Sequence, residues 1–226
     1  MRNAIAIEGL IGAGKTTFIN DFMKSSCFNR WCRFFLEPVE NFQKAGGREL
    51  LRETYESPKE NAFFLQVHIM NVLYDHYRFI SFFRDEPMIM ERSHLSPLAF
   101  IKTYYELDYL DEAQYHVLRR LYDFLFADIE LPGLILYFHQ PVEQCLQHIA
   151  MRARAGESTI DANFLKVLQK NYLEILRARA GGHLLEVRSL EEMTNAIKNN
   201  NPVLNDCLFS FGRKCLSLYR NLLTRQ

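Results

Sequence analysis

The stretch GLIGAGKTT, residues 9–17, restricts the possible folds of this chain more than any other feature. It fits the pattern G-x-x-x-x-G-K-S/T and lies between an apolar run and a helical pattern. Such a loop can curl until its N–H groups face an anion, and the following helix adds the positive end of its dipole. We therefore predict a triphosphate-binding loop, in which Lys15 contacts the β- and γ-phosphates and Thr16 ligates Mg²⁺. The residues expected to bind the nucleotide are Gly9, Gly12, Ala13, Gly14, Lys15, Thr16 and Thr17.

Five short apolar runs alternate with helix-length segments along the chain, at 3–8, 33–37, 88–91, 134–139 and 183–187. Nearly continuous apolar runs of this length are typical of a parallel sheet that is covered by helices on both faces. We predict an α/β fold of the P-loop type with a five-stranded parallel sheet. Because no repeat or linker divides the sequence, we expect a single domain over residues 1–226.

The composition argues against two classes of partner. The chain has 27 Lys and Arg and 27 Asp and Glu, so no net field attracts a nucleic acid polymer or an anionic membrane. Its five cysteines form no C-x-x-C pair, which favours a reducing compartment over a zinc site or a disulfide scaffold. The apolar runs are too short for a signal peptide or a membrane span. We expect a cytoplasmic protein, or one soluble in another reducing compartment.

Two helices are predicted from their caps and their apolar spacing. Ser57 and Pro58 form a start signal for a helix that runs to about Phe83. That helix is apolar on most sides, so it should be central or covered by a partner. A second, amphipathic helix is predicted over 206–225.

Charged residues follow the predicted strands. Glu37 ends the second strand, and Glu91 and Arg92 end the third. Ligands of an open parallel sheet lie at the carboxyl ends of its strands, so these charges should meet above the glycine loop. Arg152, Arg154 and Glu157 form a further group at a helix end, where cations are also favourable against the helix dipole alone.

The ordered motifs resemble the deoxynucleoside kinase family, which includes deoxycytidine, deoxyguanosine, mitochondrial thymidine and herpesviral thymidine kinases. The motifs are GLIGAGKTT, EPV, a tyrosine and a glutamine eleven residues apart, ERS and RARAGE, and they extend from residue 5 to about 180. EPV and ERS are more similar to the cellular enzymes, whereas RARAGE is more similar to the herpesviral ones.

The resemblance implies ATP-dependent phosphorylation of a deoxynucleoside. Glu37 would be the base that accepts the proton of the 5′-hydroxyl, and Arg92 would contact the 5′-oxygen and the transferring phosphoryl group. Glu91 would hold Mg²⁺ together with Thr16. Arg152 and Arg154, in a lid over about 152–160, would share the phosphate charge with Lys15.

For the acceptor, the resemblance implies that Tyr55 and Glu157 hold the sugar 3′-hydroxyl and that Gln66 hydrogen-bonds to the base. Phe42, Met70 and Leu73 would complete this site, and the last two would form an apolar wall beside Gln66. A homodimer is also implied.

Several positions depart from the family pattern. Leu73 and Pro97 stand where deoxycytidine kinases have an arginine and an aspartate, which favours thymidine or pyrimidine deoxynucleosides in general. His148 replaces an active-site arginine. Phe42 replaces a tryptophan, and base-stacking aromatics are missing at 65 and 101.

Two alternatives stay open at this point. A nucleoside monophosphate kinase would share the loop and the lid, but it would need additional arginines for the acceptor phosphate, with Arg48, Arg52 and Arg78 as candidates. A nucleotide-binding switch would bind ATP without transferring phosphate to a nucleoside.

Overall fold

The computed structural model describes residue 1 and residues 3–24, 32–189 and 192. The amphipathic helix predicted over 206–225 therefore lies outside the described residues. Within the described part, no helix is both long enough and apolar enough to cross a membrane.

Five parallel strands form one sheet, as the alternation of apolar runs predicted. The strands are β1 (Ala4–Glu8), β2 (Arg33–Phe35), β3 (Met88–Glu91), β4 (Leu134–Phe138) and β5 (Leu184–Val187). Their order across the sheet is β2-β3-β1-β4-β5. The inner strands β1 and β3 are buried along their whole length, which explains their continuous apolar sequences. The prediction of an α/β fold with a five-stranded parallel sheet is confirmed.

Helices connect the strands and cover the sheet. They are α1 (Lys15–Lys24), α2 (Val39–Gln43), α3 (Leu50–Glu56), α4 (Pro58–Ser81), α5 (Ser96–Glu106), α6 (Glu112–Leu125), α7 (Val142–Arg152) and α8 (Ala162–Ala180). Short 3-10 turns occupy Glu157–Thr159 and Gly181–His183. The central strand β1 leads directly into the glycine loop and α1, so the loop stands at the middle of the sheet edge where the strands end.

Helix α4 begins at the predicted proline, but Ser57 does not cap it with its side chain. Its buried side includes Leu65, Gln66, Met70 and Leu73. The opposite side is exposed within this chain, since Phe64 is 56% and Phe79 is 55% exposed. The helix therefore has one core face and one face in solvent within this chain.

The lid region joins α7 to α8 and packs against α3. Helix α7 ends at Arg152, followed by Ala153 in a left-handed conformation with φ 49°. Gly156, at φ 82°, lies so close to the Arg52 backbone that an added Cβ would be 2.9 Å from the Arg52 Cα. Thr159 Oγ1 donates to the Tyr55 carbonyl at 2.9 Å. These contacts hold the lid over the end of the sheet.

Candidate active site

One cavity of about 750 Å³ joins the glycine loop to the acidic strand ends and to α4. On the phosphate side it is lined by loop residues 11–17 together with Glu37, Glu91 and Arg92. On the other side it is lined by Phe42, Tyr55, Gln66 and Leu73. Most of the predicted site residues therefore meet in a single space.

The glycine loop has the backbone that its sequence predicted. Gly12 has φ 78°, and a Cβ at this position would collide with the carbonyl oxygen of Cys145 in α7. Only glycine fits this close approach between the loop and the helix. His148, one turn further along α7, contacts the same glycine through Nδ1, 2.7 Å from the Gly12 carbonyl oxygen. Because the two contacts fix the curvature of the loop, α7 is part of the phosphate site.

Lys15 lies inside the loop and is nearly buried. Its Nζ donates to the carbonyl oxygens of Leu10 at 2.8 Å and Gly9 at 3.3 Å. Burial lowers the pKa of Lys15 to about 8. The charge of Arg92 also lowers this pKa, whereas the nearby carboxylates raise it. The ammonium is therefore poised for a stronger anionic partner than these carbonyls.

Three charged side chains converge at the ends of β2 and β3. Arg92 Nε lies 2.9 Å from Glu37 Oε2 in an ion pair that is largely shielded from water, since the Glu37 side chain is 17% exposed. The Glu37 backbone N–H donates to Glu91 Oε2 at 3.4 Å. Because β2 and β3 are neighbours, residues that are 54 positions apart in the sequence touch each other here.

The Thr16 hydroxyl donates to Glu91 Oε1 at 2.8 Å, directly beside the glycine loop. A hydroxyl and a carboxylate are hard oxygen ligands, and Mg²⁺ at phosphate sites needs only one or two protein ligands because water and phosphate supply the rest. In the described part of the chain, no three His, Cys, Asp or Glu side chains gather as a metal site. The Thr16 and Glu91 pair therefore fits a magnesium ion bound jointly with phosphate.

Arg92 is buried at the cavity wall and contacts several groups. Its Nη1 donates to the Gly9 carbonyl at 3.2 Å and to the Tyr172 hydroxyl. The guanidinium carbon lies 5.5 Å from the centre of the Phe100 ring and 5.7 Å from that of Tyr172. Burial opposes its charge, but Glu37, Tyr172 and Glu8 outweigh burial and raise the pKa of Arg92 above its ordinary value. Arg92 therefore stays charged.

The lid arginines are paired with the carboxylate that the sequence assigned to sugar binding. Arg152 Nη2 lies 2.6 Å from Glu157 Oε2, and Arg154 Nη1 lies 3.1 Å from Glu157 Oε1. Glu157 is buried, and two cations compensate its charge. Both lid arginines therefore lie at the edge of the cavity, paired with Glu157.

Two groups on the acceptor side are prepared for hydrogen bonding. Gln66 is buried in the cavity wall, and its Oε1 has no hydrogen-bond partner. Desolvation, together with Glu157 and Glu37, raises the pKa of Tyr55, so its phenol remains a neutral donor. An unpaired buried carbonyl oxygen is costly, and a ligand N–H would remove that cost.

Some predicted acceptor residues lie elsewhere. Met70 does not line the cavity, because it points into the core and is completely buried. Ile69, one position earlier on α4, lines the cavity instead. On the nucleotide side, Gly9 does not line the cavity either, and its carbonyl oxygen instead accepts a hydrogen bond from Arg92. Of the two positions where stacking aromatics were missing, Leu65 lines the cavity and Ile101 does not.

Phe100 and Tyr104 of α5 line the cavity and were not among the predicted site residues. They provide aromatic surface close to position 101, where the family pattern has a base-stacking aromatic. Phe100 lies one residue before that position, and Tyr104 lies three residues after it. Glu8 and Tyr172 were not predicted either, and they contact Arg92 without lining the cavity. The i, i+4 spacing of Phe100 and Tyr104 was visible in the sequence, whereas nothing there linked Glu8 or Tyr172 to Arg92.

The parallel sheet, the glycine loop at its central strand and the charged cavity define a P-loop nucleotide-binding protein. Solved structures of the same architecture include deoxyadenosine kinase from M. mycoides with bound dATP, at TM-score 0.71 and 22% sequence identity. This likeness covers 87% of the present chain and 97% of that chain. The same enzyme with products dCMP and a flexible dCDP bound matches with a TM-score of 0.69.

The family model for deoxynucleoside kinase matches residues 5–206, and the chain belongs to that family. It is 28% identical over 173 residues to deoxyadenosine kinase of Dictyostelium discoideum, covering 76% of this chain and 66% of that protein. It is 29% identical over 188 residues to deoxycytidine kinase of Rattus norvegicus, covering 73% and 71%. Thymidine kinase of Ictalurid herpesvirus 1 is 24% identical, covering 84% and 82%. The resemblance stated from the motifs is confirmed.

Proposed function

We propose that this protein transfers the γ-phosphoryl group of ATP to the 5′-hydroxyl of a deoxynucleoside. The observation that carries the proposal is the Glu37 and Arg92 pair, with Arg92 Nε 2.9 Å from Glu37 Oε2, in the same cavity as Lys15 and the glycine loop. A carboxylate with its second oxygen available can accept a proton, and the adjacent guanidinium can stabilise developing negative charge.

In the proposed reaction, the 5′-oxygen attacks the γ-phosphorus while its proton passes to Glu37. The bond from the γ-phosphorus to the bridging oxygen breaks, and ADP leaves. Phosphoryl transfer of this kind depends on positioning and charge stabilisation more than on a strong base. Lys15 and Arg92 provide fixed positive charge from two sides of the cavity.

Magnesium would be held by the Thr16 hydroxyl and the Glu91 carboxylate, which lie 2.8 Å apart beside the loop. When bound, the ion would neutralise phosphate charge and orient the terminal phosphate. Glu91 also receives the Glu37 backbone N–H, so the proposed metal ligand and the proposed base are coupled through one hydrogen bond.

The lid contributes at two points. Arg152 and Arg154 would turn from Glu157 to the phosphates when ATP binds, and Glu157 would then be available to the sugar 3′-hydroxyl together with Tyr55. This exchange is supported by the shared contacts, since both arginines lie within 3.1 Å of the same carboxylate. Neutralising three phosphates requires more charge than the loop supplies alone.

The proposed substrates are thymidine or pyrimidine deoxynucleosides. Gln66 offers an unpaired Oε1 to a base N–H, and an amide can pair with either hydrogen-bonding pattern of a pyrimidine. Leu73 and Pro97 line the cavity without charge, which leaves room for a 5-methyl group. The relatives named above are a deoxyadenosine kinase, a deoxycytidine kinase and a thymidine kinase, so they favour no single base and the base preference rests on these side chains alone.

A monophosphate acceptor is a weaker alternative. Arg48 pairs with Glu53, and Arg52 pairs with Glu56, while Arg78 stacks on Tyr74. None of the three arginines lines the described cavity, and a monophosphate beside Glu37 would be repelled by the carboxylate.

We also propose a homodimer, as the family resemblance implies. Exposed phenylalanines on two adjacent helices support it, namely Phe79 and Phe82 at the end of α4 and Phe124 on α6. Burying such side chains between copies would be favourable. Sedimentation velocity should give a dimer mass for the wild type, and Phe82→Asp should shift it toward the monomer; a monomeric wild type contradicts this proposal.

Transfer from labelled ATP with Mg²⁺ tests the activity directly. Thymidine, deoxycytidine, deoxyadenosine, deoxyguanosine and dTMP are supplied in parallel, and the products are resolved. We expect dTMP from thymidine. A diphosphate made from dTMP would support the monophosphate kinase, and ATP binding without any transfer would support the switch.

A further inference from the structure

Glu8 is a completely buried carboxylate directly under the glycine loop, at the end of β1. Its Oε1 accepts hydrogen bonds from the backbone N–H and the hydroxyl of Ser93, both at 2.7 Å. The Ser96 hydroxyl lies 2.8 Å from Oε2 and 3.0 Å from Oε1. The proposed transfer assigns no role to this group, although it is the most deeply buried acid near the site.

Burying a carboxylate is costly unless cations and donors compensate it. Burial outweighs the opposing effects of Arg92, Ser93 and Ser96, so the pKa of Glu8 is raised above its ordinary value. Arg92 Nη1 lies 3.8 Å from Glu8 Oε2. The buried charge is therefore matched on one side by the guanidinium that pairs with Glu37 on its other side.

Arg92 needs such support because its backbone is in an unfavourable conformation. Its φ is 66°, in the left-handed region that residues with a Cβ seldom adopt. Hydrogen bonds hold the turn on both sides: Arg92 N–H donates to the Ile7 carbonyl at 2.9 Å, and the Tyr77 hydroxyl donates to the Arg92 carbonyl at 3.1 Å. The bond from Ser93 N–H to Glu8 fixes the next peptide. This turn aims the side chain back over the loop.

The Arg92 side chain is fixed in the same way. Glu8 and the Tyr172 hydroxyl lie at Nη1, and the Tyr172 ring covers one face of the guanidinium. With Nη1 held there, Nε stays 2.9 Å from Glu37 Oε2 as an ion pair, although the Nε–H makes no hydrogen bond of good geometry. A guanidinium is planar and rigid, so fixing one nitrogen orients the others.

We propose that Glu8 and Tyr172 are positioning residues that fix the Arg92 guanidinium against Glu37 for phosphoryl transfer. Neither of them lines the cavity, so each acts through Arg92 and not on the substrate. This inference rests on the proposed function for its kinetic consequence, while its structural content, an ordered Arg92, can be measured without turnover.

A double-mutant cycle provides the kinetic test. The variants are Glu8→Gln, Tyr172→Phe, Arg92→Lys and the two double combinations, assayed with the nucleoside that the wild type uses. We expect Glu8→Gln to lower kcat by about 10- to 100-fold, as small misplacements of a reacting group do, with the KM for ATP within about threefold. In the Arg92→Lys background the second substitution should cost almost nothing further, because the group it positions is already gone.

Matched controls separate positioning from general damage. Glu186→Gln changes a strand carboxylate that accepts hydrogen bonds outside the cavity, and Tyr122→Phe removes a buried phenol on α6. Both controls should keep wild-type kcat. If Glu8→Gln fails to fold, Tyr172→Phe retains the ring packing and carries the test, with an expected loss of about 3- to 10-fold.

The Arg92 Nε–H signal in ¹⁵N-labelled protein gives a readout that needs no substrate. It is assigned by its disappearance in Arg92→Lys, and it should be sharp in the wild type and in both controls. It should broaden through solvent exchange in Glu8→Gln and in Tyr172→Phe.

The outcomes separate the two proposals. Absence of transfer by the wild type overturns the proposed function alone, and the Nε–H signal then still decides the positioning proposal. Unchanged kcat in folded Glu8→Gln and Tyr172→Phe, effects that multiply with Arg92→Lys, or an unchanged Nε–H signal in both variants overturns the positioning proposal.

Discussion

ATP affinity should weaken as pH rises above 8, because of the state of Lys15 in the free protein. Burial, reinforced by the charge of Arg92, lowers the pKa of Lys15 to about 8. Bound phosphate favours the charged ammonium and raises that pKa. Well below pH 8 the free protein already carries the charge, so binding takes up almost no proton there. Above pH 8 binding must first protonate Lys15, and the affinity falls.

The size of the effect follows from the fraction of Lys15 that is charged before binding. With a pKa of about 8, roughly three quarters of the ammonium is charged at pH 7.5 and about one tenth at pH 9. The Kd for ATP should therefore rise by about eightfold over this interval. ATP itself is largely ionised over this interval, since phosphate groups titrate near pH 6.

Isothermal titration with Mg²⁺ and a non-hydrolysable ATP analogue measures this directly, in two buffers that differ in ionisation enthalpy so that proton uptake is counted. Lys15→Arg is the matched control, because a guanidinium stays charged at pH 9; its Kd can be weaker but should be flat with pH. A flat Kd in the wild type, or the same slope in Lys15→Arg, would refute the reasoning.

Three further predictions concern other parts of the molecule. Burial lowers the pKa of His94 to about 4, so the unfolded chain binds this proton below pH 6.5 and the folded protein does not. The free energy of unfolding should then fall by about 3 kcal/mol between pH 7 and pH 4; urea titrations of His94→Phe, whose ring can stack on Phe126, should lack this loss, and an unchanged pH dependence would contradict it. Gln66→Leu should raise the nucleoside KM by about 10-fold or more with the KM for ATP unchanged, and equal KM values in steady-state assays would remove Gln66 from base binding. Tyr55→Phe should reduce the preference for a 2′-deoxynucleoside over its 2′,3′-dideoxy analogue, measured as a ratio of kcat/KM; an undiminished ratio would exclude the phenol from 3′-hydroxyl binding.

The fold could be predicted because the chain follows local rules. Continuous apolar runs such as Ala4–Glu8 are needed wherever a strand is covered on both faces, and helix-length segments must separate parallel neighbours. The glycine loop and the strand-end charges followed from the same topology, since parallel strands bring their carboxyl ends to one edge.

The failures came from side-chain direction and from contacts distant in sequence. Met70 and Ile69 are adjacent on α4 and differ by about 100° around the helix, so sequence spacing from Gln66 did not separate the core from the cavity. Glu8 looked like an ordinary strand end, because its partners Ser93 and Ser96 are 85 and 88 positions away. Only the pairing of β1 with β3 brings them together.

The lid shows a third kind of limit. The family resemblance implies that Arg152 and Arg154 bind phosphate and that Glu157 binds the sugar, and in the structure without ligand both arginines pair with that carboxylate. Opposite charges a few residues apart pair with each other until a ligand competes for them. In the exchange that we propose, their partner depends on the bound ligand, and motif spacing carries no information about it.

The most direct test of the central claim is the single-turnover rate of Glu37→Gln with saturating ATP, Mg²⁺ and thymidine, or whichever nucleoside the wild type uses. If Glu37 accepts the 5′-hydroxyl proton, phosphoryl transfer should slow by about 10²- to 10⁴-fold while the nucleoside Kd stays within a few-fold. A rate equal to that of the wild type in the folded variant would contradict the assignment of Glu37 as the base.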